Sequence, residues 1–195
     1  MLFKSCVKSR HFTVAPMLGA AFVVAGLAFP VNVAGAQDAV AAGPPEKEVS
    51  QLLEQSQAAA RKLARDASLL ESFTRGNLSW ESHAAQLQAI KDHINTMGAD
   101  AKRLQELHPA AAPWQQHAID RIIPLMVEMA SLTQTAIEHV NANRDRLHTP
   151  EYTQYLKDKA EVSANLSGLI TDFVVYGQAK AKLAELEKSL GVAGS

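Results

Sequence analysis

Residues 80–107 read WESHAAQLQAIKDHINTMGADAKRLQEL. Trp80, His83 or Ala84, Leu87, Ile90, Ile94, Met97, Ala101 and Leu104 recur at alternating steps of three and four. On a helix this spacing gathers them on one face, and the sustained alternation is a coiled-coil seam. A strand cannot use it, because strand side chains change face at every residue. The stretch therefore predicts a helix, with Ser79 as N-cap. Gly98 lies inside it at a cost of about 1 kcal/mol against alanine, which predicts a close approach by a neighbouring helix there.

The flanking sequence repeats this pattern. A helix is predicted over 46–73, with Val49, Leu52, Leu53, Ala60, Leu63, Ala67, Leu70 and Phe73 on its face. Gly76 is expected to end it in the left-handed conformation. A third helix is predicted over 113–147, starting at Pro113 and carrying Trp114, Ile119, Ile122, Met126, Met129, Ala136 and Val140. Pro124 interrupts its backbone bonding and predicts a kink. A fourth is predicted over 151–190, with Thr149 as N-cap and Gly191 as its stop. The short breaks force neighbours antiparallel, so the expected fold is all-α: an up-down-up-down antiparallel four-helix bundle with long helices.

The beginning of the chain has a different composition. Residues 1–36 carry Lys4, Lys8 and Arg10, an uncharged apolar run from Phe12 to Phe29, then Pro30 and Ala34-Gly35-Ala36. This order reads as a secretory signal peptide, with cleavage after Ala36 and a periplasmic or secreted product. The alternative is a retained anchor, since about 18 apolar residues just span a bilayer. Residues 37–45, ending Gly43-Pro44-Pro45, read as a flexible leader.

Charge and cysteine narrow the function. Three of the 19 basic residues and none of the 20 acidic ones lie in 1–36, which leaves 16 against 20, a formal charge of −4. A mildly acidic domain has no footprint for nucleic acid. The single cysteine, Cys6, lies in the targeting segment, so the exported domain has no disulfide, thiolate metal site or cysteine nucleophile. No glutamate is followed by histidine three residues later, which excludes the Glu-x-x-His set of a carboxylate di-iron bundle. Asp145-x-x-His148 has ligand spacing but reads as a solvated helix end. Gly-x-Ser-x-Gly, His-Glu-x-x-His and a phosphate-binding glycine loop are absent, and no enzyme is expected.

The remaining candidates are few. His83 occupies a seam position, and a buried histidine needs a partner. His93 and Met97, four residues apart, offer imidazole and thioether, a pair suited to haem iron or copper. A bundle holding non-covalent haem resembles the cytochrome b562 family, which takes an axial histidine from its last helix. The fourth stretch here has no histidine after His148. No cofactor is therefore assigned, and haem, a metal ion or a small apolar ligand is carried only as the alternative. Lys159 and Lys180 approach the apolar face of the last helix and are expected to extend to water. The third and fourth helices are longer than the first two, so their hairpin should project. Val140, Tyr152, Tyr155 and Leu156 would then form an exposed interaction surface. The leading expectation is an exported non-enzymatic bundle that meets an envelope protein or itself.

Overall fold

The computed structural model describes residues 43–76 and 78–192. The signal-peptide reading of 1–36, its cleavage point and residues 37–42 of the leader lie outside them. The described part is all-helical, and no helix in it is long and apolar enough to cross a membrane.

Four helices pack against one another: α1 (Pro44–Ser72), α2 (Trp80–Leu107), α3 (Pro113–Ala142) and α4 (Pro150–Leu190). α1 and α3 each lie against both α2 and α4. Cross-helix contacts run in opposite numerical order. Glu48 meets Arg103 and Asp66 meets His93 between α1 and α2. Trp114 meets Tyr176 and His139 meets Tyr152 between α3 and α4. Both pairs are thus antiparallel.

Each helix hides one line of side chains. On α4 the buried line is Tyr152, Leu156, Lys159, Ser163, Leu166, Ile170 and Val174. On α2 it is His83, Leu87, Ile90, Met97, Leu104 and Leu107. Ile94, assigned to the seam by spacing, is only half-buried at its edge.

The ends differ from expectation in instructive ways. α1 begins at Pro44 rather than Glu46. Proline is tolerated in the first turn, where its missing N–H has no helical partner anyway. The Gly43 N–H donates to the Glu46 carboxylate at 3.0 Å. Gly76 is extended rather than left-handed, because a short 3₁₀ turn (Phe73–Arg75) closes α1 instead. Gly191 does take the left-handed cap, at φ 66°. Ser79 stands at the start of α2, but its hydroxyl caps no backbone N–H; it faces Ser82 Oγ at 3.4 Å. Thr149 does cap α4, accepting from the Tyr152 N–H at 3.3 Å.

α3 stops at Ala142, five residues short of the predicted end. Asn141, Asn143 and Asp145 crowd that stretch, and such side chains favour turns by bonding nearby backbone. Asn143 does so, donating to the His139 carbonyl at 3.0 Å. α3 passes through Pro124, which faces solvent, as one helix.

The close approach expected at Gly98 is absent, for nothing lies within 4 Å of where a Cβ would stand. It occurs at Gly177, where a Cβ would meet Trp114 Cη2 at 2.7 Å. The bare backbone there lets the indole lie against α4.

Ile90 is fully buried, so Ile90→Ala should cost about 2–5 kcal/mol through lost burial and a residual cavity. Ile94→Ala should cost distinctly less, and exposed Lys91→Ala should be near neutral. Urea unfolding of the three variants checks the order; equal effects would mean that the buried line of α2 is misassigned.

Candidate functional site

Two features of the bundle are not explained by packing alone. The first is a buried polar cluster at the end formed by the start of α2, the end of α3 and the start of α4. His83 and Tyr152 are both fully buried, with His83 Nδ1 at 3.0 Å from the Tyr152 hydroxyl. The His139 ring stacks on Tyr152 with centroids 4.8 Å apart, and Phe73 meets His83 edge-on at 5.3 Å. The Nε2 atoms of His83 and His139 are buried without a hydrogen-bond partner.

Lys159 lies two turns along α4 from Tyr152. It is fully buried, and its Nζ has no partner. This corrects the expectation that it reaches water. Its position on the buried line of α4 aims it inward. Lys180 is exposed as expected.

Burial in a low-dielectric interior disfavours the charged form of each group. It pushes the Lys159 ammonium down to about 7. His83 is lowered by burial first and by the charge of His148 second. Burial raises the Tyr152 phenol well above its ordinary range. Two core hydroxyls are committed locally, Thr133 donating to the Met129 carbonyl and Ser163 to the Ala160 carbonyl, while Ser56 donates across to the Asp100 carboxylate at 3.3 Å.

The ligand set suggested by spacing does not converge. His83 is at one end of α2. His93 lies ten residues on, about 15 Å at the helical rise. It is half-buried and 2.9 Å from the Asp66 carboxylate. Met97 fills the core. Among the described residues no group of three or more His, Cys, Asp or Glu could hold a metal ion.

The proposed surface of Val140, Tyr152, Tyr155 and Leu156 is also corrected. Val140, Tyr152 and Leu156 are buried and Tyr155 is half-buried. α3 ends early, and the α1–α2 connection folds over this end. Arg144 of the α3–α4 turn lies 4.2 Å above the Trp80 ring.

The second feature is at the other end of α4. This helix has 41 residues against 29, 28 and 30 in the others. α3 begins beside Tyr176, where Trp114 meets that ring at 5.4 Å. From Gln178 to Leu190 every residue except Glu187 is exposed. Tyr176, Leu183, Leu186 and Leu190 are 49%, 57%, 44% and 72% exposed. With Ala179 they form a line at steps of three, four, three and four. The buried line, continued, would instead use Gly177, Lys180, Ala184 and Glu187. The apolar line thus steps back one residue, about 100° around the helix. Three-and-four spacing by itself would place Leu183 and Leu186 in the core. The shift of phase at Gly177 was the available sign that they are not.

Of two clefts among the described residues, the smaller lies between α1 and the start of this end, lined by Ser50, Glu54, Trp114, Gln178 and Ala181 among others. The larger, about 380 Å³, is at the α2–α3 turn, where His108 Nε2 stands 3.0 Å from the Asp120 carboxylate. No known family model, no characterised protein and no solved structure matches this chain.

The buried cluster makes stability depend on pH with a definite sign. Between about pH 7 and 10.5 the unfolded chain binds a proton at Lys159 that the folded chain does not, so stability rises with pH there. Below about pH 6.5 unfolded His83 protonates first, and stability falls as pH falls. Above pH 10 unfolded Tyr152 loses its proton first, and stability falls as pH rises. The maximum should lie near pH 10. Lys159→Met should stabilise the protein at pH 7 by up to about 5 kcal/mol, at 1.4 kcal/mol per pH unit. It should also abolish the rise between pH 7 and 10. Calorimetry of both proteins across this range checks it; parallel curves would show that Lys159 is not held neutral.

Proposed function

We propose that this chain is an exported, non-enzymatic helical bundle of up-down-up-down topology. In this reading it acts by contact with another envelope protein or with itself. The observation that carries the proposal is the exposed apolar line Tyr176–Leu190 on the end of α4. Isolated exposed leucines are ordinary, but a continuous apolar stripe marks a contact surface. Its three-and-four spacing suits another helix, which would bury the stripe as a seam. The address rests on the composition of residues 1–36.

A second reading has its own support. The unpartnered nitrogens of His83, His139 and Lys159 could face a ligand held between helices, haem or a metal ion included. Protein from its native host with no Soret band and no bound metal would remove that alternative.

Two measurements test the main proposal. The intact mass of the exported protein should correspond to a chain beginning at Gln37; retention of residues 1–36 would replace export by anchoring. A photoreactive side chain at Leu186 should capture a partner in the envelope, while one at Val127, which is more exposed and lies on α3, should not. Capture at neither position, or at both alike, would defeat the assignment of α4 as the contact surface.

A further inference from the structure

We propose that the occupant of the α4 stripe is a second copy of this chain, docked antiparallel so that the two helix ends form a short coiled coil. The inference rests on the contact reading above and names its partner. Three observations carry it: the heptad, the charges beside it, and the place where α3 stops.

Tyr176, Leu183 and Leu190 take the a positions of a heptad, and Ala179 and Leu186 take d. Antiparallel pairing sets a against d. Leu183 then meets Leu186 of the second copy, twice by symmetry, and Leu190 meets Ala179 of the second copy, also twice. Large opposite small fills each outer layer without a void. The central layers use the two leucines that are most regularly placed.

The flanks match as well. In this register Lys180 lies beside Glu187 of the second copy, and the two-fold axis repeats the pair. On the other flank Lys182 lies beside Ser189. No like charges oppose. Within one chain Lys180 only overlies the Tyr176 ring at 5.8 Å, and Glu187 has no ion pair at 4.0 Å or less among the described residues. Both are therefore available.

The third observation concerns room. α3 begins at Pro113, level with Tyr176 and Gly177, so no α3 runs beside the outer part of α4. An incoming helix fills that place, and its tip stops above Trp114. The two bundles then sit toward opposite ends of the pair. A two-fold axis of this kind is self-limiting and gives a closed dimer.

About two heptads a side falls at the low end of specific interfaces, below roughly 1,200 Å² in all. The dimer is therefore weak and concentration-dependent. Because the tail is already helical, pairing does not have to nucleate it.

Sedimentation equilibrium of the exported form, from about 1 µM to 1 mM, tests this. The mass should move from one chain to two across that range. Leu183→Glu combined with Leu186→Glu should remain one chain throughout with an unchanged melting temperature, since both sites are exposed in the single copy. Lys180→Glu and Glu187→Lys should each weaken the dimer severalfold, and the double exchange should restore it. A wild-type protein that stays one chain at 1 mM overturns the proposal, as does a dimer insensitive to the leucine changes or a double exchange that fails to restore. If the wild type stays single while Leu186 still captures a different protein, self-association is wrong and the contact reading stands.

Discussion

The whole structure follows from the need of four helices to remove one line of side chains each from water. In proteins most helical stability comes from packing an apolar face rather than from propensity, and here the apolar line supplies it. Burial of that line contributes roughly 25 cal/mol per Å². Because the helices close on one another, whatever occupies a line position is carried inside, polar or not. Ser56, Thr133, Lys159 and Ser163 are buried for this reason, and so are His83 and Gln115. Most of them find a partner nearby. Gln115 donates to the Glu46 carbonyl at 2.7 Å and to Ser50 at 3.0 Å.

Lys159 is the exception that shows the strength of the constraint. An unpaired ammonium in a core is expensive, and burial brings the group down to about 7. Burial of its neighbours on the same line, Leu156 and Leu166, requires the helix to keep its phase, so the lysine cannot turn outward. The histidine–tyrosine pair at the adjacent end solves a similar problem by hydrogen bonding. The core is thus specified by apolar area and is least stable where the sequence departs from it.

Much of the fold was legible because it depends on periodicity. α2 was readable to the residue, and Thr149, Pro113 and Gly191 marked real helix ends. What was not legible depended on choices that periodicity does not encode. The end of α3 turned on asparagine side chains competing for backbone, against apolar spacing that continued to Leu147. Lys159 was read by its chemistry, which favours water, when its position governed. Gly98 and Gly177 look alike in sequence; only the arrival of Trp114 from another helix distinguishes them. The projecting hairpin was placed at the wrong end of the molecule. Helix lengths were added correctly in outline, but the surplus belonged to α4 alone and fell beyond Gly177.

That surplus has a consequence for the lifetime of the protein. A helical end that α3 does not cover, and whose side chains are nearly all exposed, opens locally at little cost, far below global unfolding. Lys180, Lys182 and Lys188 lie along it, exposed, and exposed segments that open easily are where proteolytic nicking concentrates. Degradation would therefore start at this end while the bundle remained folded. Whatever covers the tail shields it, so the abundance of intact chain becomes a record of how often that end is covered.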